Sequence, residues 1–258
     1  MTNLTFSTVI VTGGSRGYGA GIAEAFVKAG ARVWITGRNE VRLRETANRI
    51  GATPFVADVA DGAAWDRLMA EVIAQTGRLD VLINNAGGPK PADFRDLSRE
   101  DWLAAIDMNM LAPIDLIKLT VDQMIERRFG RIVNITSGAV KAPIDILGLS
   151  NGARSGLTGF VAGVARTQKL AANNVTINNL LPGAYDTDRL KGTMKGAAEK
   201  TGQSVDAVAE ARKKTIPAQR FGHPQEFGDT CAFLCSAQAG YMTGQNILTD
   251  GGAYAGTF

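Results

Sequence analysis

Short apolar runs alternate along the chain with longer stretches whose apolar positions recur every three or four residues. The runs at residues 8–11, 32–36, 54–57, 81–84, 131–136, 175–180 and 246–248 have the length of buried strands. The patterns at 20–29, 41–50, 65–75, 102–127, 150–172, 190–214 and 224–235 have the helical period. Strands that are apolar on both faces and separated by helices predict a parallel sheet with helices on each side, a doubly wound α/β architecture.

One domain spanning 1–258 is sufficient. Of the 258 residues 45% are hydrophobic, enough for one large core, and the 30 glycines fall where connections are expected. The segment near 188–216 breaks the regularity: it carries Lys191, Lys195, Lys200, Arg212, Lys213 and Lys214 with few large apolar residues. It reads as a polar helical insert packed loosely over a cleft, its charges forming a solvated face.

Charge and cysteine use narrow the classes further. A net charge of +3, with cations interleaved among acids, gives no footprint for nucleic acid. No apolar stretch reaches the roughly 18 residues that span a bilayer, and the chain runs into its first strand without a leader pattern, so a cytoplasmic, non-membrane protein is expected. Cys231 and Cys235 stand four apart on one helix pattern and read as reduced, buried thiols. The single histidine, His223, precedes Pro224 at a helix entry, without a ligand cluster around it; no metal site is expected.

Candidate chemistry begins after the first strand, at Thr12-Gly13-Gly14-Ser15-Arg16-Gly17-Tyr18-Gly19. Glycines allow a tight turn and a close backbone approach to phosphate, while the helix that follows offers unpaired N–H groups. The spacing is wider than G-x-G-x-x-G, and a purely structural strand-to-helix turn is the alternative. After the second strand comes Gly37-Arg38, where an acid would take a free ribose 2′-hydroxyl. A guanidinium there matches a 2′-phosphate, and Arg16 could close on the same group, which favours NADP over NAD.

Further motifs follow in order: Asp58-Val59, Asn84-Asn85-Ala86-Gly87, Pro182-Gly183 with Thr187, and a closing stretch from Thr243 to Gly252. With these the chain resembles the short-chain dehydrogenase/reductase family along nearly its whole length. The resemblance implies a Rossmann-like fold in which Asp58 and Val59 meet the adenine and Asn85, Ala86 and Gly87 line the cofactor channel. It also implies that Pro182, Gly183, Tyr185 and Thr187 approach the nicotinamide, and that the chain forms a homotetramer or homodimer through the helix after Ser150 and the closing strand. Asn84 and Asn85 also read as polar turn residues tying strand ends together.

In the family an asparagine, a serine, a tyrosine and a lysine carry out carbonyl reduction. Asn109 and Ser137 match the first two, whereas Ser150 and Arg154 fall on the tyrosine and lysine positions. An aliphatic hydroxyl is a far weaker acid than a phenol, whose pKa is about 10, so Ser150 is a poor direct proton donor. Arg154 keeps a positive charge beside the expected ribose and a developing alkoxide but cannot relay a proton. Other donors are Tyr185, which also reads as packing, Lys141 and Asp145 on a substrate loop, and a water ordered by Asn109, Ser137 and Ser150. The expected reaction is hydride transfer between NADP and a carbonyl or alcohol, a ketone or 3-oxoacyl compound. The rival expectation is an NADP-binding member with little turnover, acting as sensor or partner subunit.

Overall fold

The computed structural model describes residues 2–257. Its elements in chain order are β1 (Thr8–Val11), α1 (Gly17–Lys28), β2 (Arg32–Gly37), α2 (Glu40–Ile50), β3 (Thr53–Val56), α3 (Gly62–Thr76) and β4 (Val81–Asn84). Then come α4 (Arg99–Ile106), α5 (Ala112–Glu126), β5 (Gly130–Ile135), α6 (Gly148–Val164), α7 (Gln168–Ala171) and β6 (Val175–Pro182). The chain ends with α8 (Asp188–Thr201), α9 (Val205–Lys214), α10 (Pro224–Leu234) and β7 (Asn246–Thr249).

The seven strands form one parallel sheet in the order β3-β2-β1-β4-β5-β6-β7. Successive side chains of a strand point to opposite faces, and the core divides accordingly. Val9, Val11, Val33 and Ile35 pack with Ile22, Phe26 and Phe227 on one face. Ile10, Trp34, Leu82 and Ile132 pack with Trp65, Leu116 and Leu157 on the other. Because strand order reverses between β1 and β4, a crevice opens at their carboxyl ends, where ligands of such sheets bind.

Three helical expectations need correction. The 102–127 pattern is interrupted by a π turn at Asp107–Leu111 between α4 and α5. Pro113 explains the break, since without an N–H it cannot bond the Asn109 carbonyl four residues back. The 150–172 pattern starts earlier, at Gly148, and is split after Val164, where Thr167 takes extended backbone and starts α7. The Thr243 hydroxyl donates to the freed Ala165 carbonyl at 3.4 Å. The insert is two helices, α8 and α9: Gly202 ends the first at φ +66°, and the Ser204 hydroxyl caps the second by accepting from the Ala207 N–H at 3.1 Å. Met194 and Ala198 anchor α8, whereas α9 buries no residue.

Among the described residues no helix is long and apolar enough to cross a membrane, and no group of three or more His, Cys, Asp and Glu could hold a metal ion. Cys231 on α10 and Cys235 at its C-cap are free and buried, and burial raises the Cys231 thiol well above its ordinary value. His223 caps α10, its backbone N–H donating to Glu226 at 2.7 Å.

Candidate active site at the carboxyl edge of the sheet

The glycine turn between β1 and α1 is shaped by close backbone approach. Gly13 and Gly17 have φ of +58° and +55°, a region open to glycine at little cost. A side chain at Gly19 would clash with the Gly13 carbonyl, so α1 packs directly on its own entry turn. Asn85 fixes that turn from β4: its side-chain amide donates to the Thr12 and Gly13 carbonyls at 3.0 and 3.1 Å. The Thr12 hydroxyl completes the tie by donating to the Asn85 carbonyl and accepting its N–H, both at 2.7 Å. Asn85 therefore has the strand-tying role that its sequence context allowed.

Two glycines of this crevice face open space. A Cβ on Gly87 would meet nothing within 4 Å, and one on Gly17 only the Thr187 methyl at 4.0 Å. These glycines leave room for a ligand close to the backbone at the start of α1, where a helix N-terminus offers unpaired N–H groups to a phosphate. Ser15 packs against Gly37, and its carbonyl accepts from the Thr46 hydroxyl at 3.0 Å. Arg16 is exposed at the entry to α1, and Arg38 is exposed at the end of β2, 3.6 Å from the Asp58 carboxylate. Val59 is half-buried, its carbonyl accepting from the Trp65 indole at 3.0 Å.

Across the crevice, Pro182 ends β6 and the Gly183 N–H donates to Thr249 on β7 at 2.9 Å. Thr187 is buried and caps α8, its hydroxyl accepting from Leu190 at 3.3 Å. Tyr185 lies in the apolar layer, its ring edge-on to Tyr18 and Phe227 at centroid separations of 5.6 and 5.2 Å. Burial is the main cause raising its phenol above the ordinary value, and Tyr18 is raised likewise. Tyr18 donates to the Gly183 carbonyl at 3.3 Å, joining the glycine turn to β6.

The candidate reaction residues stand on β5, the π turn and α6. Ser137 follows β5, and its half-buried hydroxyl accepts from the Ala139 N–H at 3.1 Å. Asn109 is buried on the π turn; its amide donates to Ala105 at 3.3 Å, while Oδ1 has no protein partner. Ser150 and Arg154, four residues apart on α6, are both buried. Arg154 donates to the Ile135 carbonyl at 2.6 Å and to the Ala86 carbonyl at 3.5 Å, so it bridges the ends of β5 and β4. Burial first, and the Arg189 charge second, pull Arg154 down to about 10. Lys141 is half-buried, 5.8 Å from the centre of the Tyr254 ring, and Asp145 is exposed.

A family model described as Enoyl-(Acyl carrier protein) reductase matches residues 13–254. The acetoacetyl-CoA reductase of Cupriavidus necator is 34% identical, covering 98% of this chain and 100% of its own length. The Escherichia coli 3-oxoacyl-[acyl-carrier-protein] reductase FabG is 31% identical over 98% of this chain and 99% of its own. This chain belongs to the short-chain dehydrogenase/reductase family. Solved structures agree: YwfH, an NADPH-dependent reductase involved in bacilysin biosynthesis, superimposes with a TM-score of 0.90 at 30% identity, covering 97% of this chain and 99% of YwfH. L-Sorbose reductase from Gluconobacter frateurii, complexed with NADPH and L-sorbose, gives 0.91 at 26% identity over 98% of each chain.

Within this short-chain dehydrogenase/reductase site, the sequence reading missed Arg189. Its guanidinium lies over Gly88, in the space that a Cβ there would fill, and donates to the Pro89 carbonyl at 3.3 Å. The available signal was its position two residues after Thr187. The reading also missed the side-chain amides that run across the sheet below the crevice, from Asn84 through Asn134 and Asn179 to Asn246.

Proposed function

We propose that this chain is an NADP-dependent oxidoreductase that interconverts a carbonyl and an alcohol. The glycine turn with Gly13, Gly17 and Gly19 would hold the pyrophosphate, Arg16 and Arg38 the 2′-phosphate, and Asp58 and Val59 the adenine. Ala86, Gly87, Pro182, Gly183 and Thr187 would flank the nicotinamide, with Tyr185 packing behind them. Bound NADP supplies the hydride chemistry; the remaining work falls to this chain's own side chains.

The observation that carries the reading is the retention of Ser137 and of Asn109, whose Oδ1 is buried without a protein partner. Ser137 presents a hydroxyl that can polarise a substrate oxygen. The Asn109 Oδ1, buried without a protein partner on a turn that packs against α6, suits a hydrogen-bonded water. A proton then reaches the substrate oxygen from water held by Ser150 and Asn109, because the Ser150 hydroxyl alone is too weak an acid. The Arg154 cation stabilises the developing alkoxide without giving up its own proton. The acyl-substrate reductases among the relatives bring ketones and 3-oxoacyl compounds into the range of carbonyls to be tested.

We place the protein in the cytoplasm as a homotetramer or homodimer, with α6 and the β7 region at its contacts. The exposed residues Ser155, Gly159 and Gly163 leave one side of α6 flat enough for close approach, since a Cβ on either glycine would meet nothing within 4 Å. The test of activity is NADPH oxidation across a carbonyl panel. Ser137→Ala should lower the rate about 100-fold or more, the range for losing one donor to a developing oxyanion. A panel with no turnover above that variant would refute the reading. Ser150 and Arg154 favour a second one, an NADP-binding member with little turnover; NADPH binding without hydride transfer would distinguish it.

A further inference from the structure

Two arginines of this chain are deeply buried, and they are satisfied differently. Arg131, 1% exposed, donates to the carbonyls of Ser236, Gly130 and Asn174 and to the Asn174 side chain, at 2.7 to 3.2 Å. Arg154, 6% exposed, has only two acceptors, and the second lies at 3.5 Å. A guanidinium has five N–H donors in a fixed fork, so much of the Arg154 fork faces no protein acceptor. No acid pairs with Arg154 among the described residues.

A second cation meets the same loop. Arg154 reaches Ala86 from α6, and Arg189 reaches Gly88 and Pro89 from the first turn of α8. Arg189 also lacks a carboxylate partner among the described residues; the neighbouring Asp186 is 3.2 Å from Lys191 instead. Two cations converging on a four-residue loop, one of them buried and unpaired, repel each other and are costly to leave uncompensated. An arriving anion removes both costs.

We propose that Arg154 and Arg189 together seat a substrate carboxylate, which makes the substrates oxo acids and hydroxy acids in preference to neutral ketones or thioesters. The proposal rests on the reductase reading for the reaction but not for the binding. The shared chemistry is an anionic oxygen group, and the other source would be the cofactor's own pyrophosphate. That group has a seat at the start of α1, whereas Arg154 shares a helix face with Ser150, at the reacting end.

The test uses the full chain saturated with NADPH at fixed ionic strength, with benzoate and its neutral counterpart benzamide as calorimetric probes. Benzoate should bind at least tenfold more tightly than benzamide. Arg189→Met, an exposed change whose folding is checked by its melting temperature, should abolish that preference and leave NADPH affinity within threefold. Equal binding of the two probes overturns the proposal. So does a loss of more than tenfold in NADPH affinity on Arg189→Met, which would assign the side chain to the pyrophosphate. Carboxylate preference without turnover of any carbonyl would keep the seat and refute the reductase reading. Turnover of neutral ketones without carboxylate preference would do the reverse.

Discussion

Arg38 shows how a residue can be read from what is missing beside it. No acid follows β2, and the side chain that stands there is exposed, its guanidinium 3.6 Å from Asp58. An exposed pair of this kind contributes between zero and about 1 kcal/mol, so it yields easily to a phosphate. Hydrogen bonds to a charged group contribute about 1.5–3 kcal/mol, and every 1.4 kcal/mol is about tenfold in affinity. Arg38→Asp should therefore weaken NADPH binding by roughly ten- to a hundredfold and shift preference toward NADH, read by titrating the fluorescence of each reduced cofactor. An unchanged ratio would remove Arg38 from the 2′-phosphate. The roles given to Arg16, Arg38 and Ser137 were open to reading because each sits beside a local motif. Arg189 was not, since its contact with Pro89 spans one hundred residues of sequence and depends on where α8 enters the crevice.

At the scale of elements, the strands were legible because both faces are buried and their apolar runs are unbroken by charge, as in β4 and β1. Helix interruptions were less so. The apolar pattern of 102–127 continues through the π turn, and only Pro113 marks the place where one backbone bond cannot form. The amide row was hidden for another reason: Asn84, Asn134, Asn179 and Asn246 become neighbours only through strand register. In the sheet each side-chain amide donates to the next side-chain oxygen, at 2.8, 3.0 and 2.8 Å. Asn134 is fully buried and makes two of these bonds. Replacing it with alanine leaves the Asn84 amide and the Asn179 oxygen without that partner, and an unsatisfied buried group costs about 1–3 kcal/mol. Asn134→Ala should destabilise the fold by about 2 kcal/mol or more in urea unfolding with an unchanged slope. A loss below about 0.5 kcal/mol would show that the row is incidental to stability.

For the whole molecule, the crevice is where distant parts of the chain are tied together by side-chain hydrogen bonds. Tyr18 reaches Gly183 from the glycine turn, Asn85 ties β4 to β1, and Arg189 crosses from α8 to Pro89. A dinucleotide lying across these loops would join β1, β2, β4 and β6 at once. It would bind the folded chain only, because the unfolded chain does not assemble those ends. Ligand present at one hundred times its dissociation constant then stabilises the fold by about 2.7 kcal/mol. For a chain of this size each kcal/mol raises the melting temperature by roughly 2–4 °C, so saturation should raise it by about 5–10 °C. NADPH should give the larger shift and NADH a smaller one at equal concentration, because only the former brings a phosphate to Arg38 and Arg16. Arg38→Asp should erase the difference without lowering the melting temperature of the free protein by more than about 1 °C, since its pair with Asp58 is exposed. Equal shifts for the two cofactors in the unmodified protein would mean that the adenosine end of the crevice does not read the phosphate, and the assignment of both arginines would fall together.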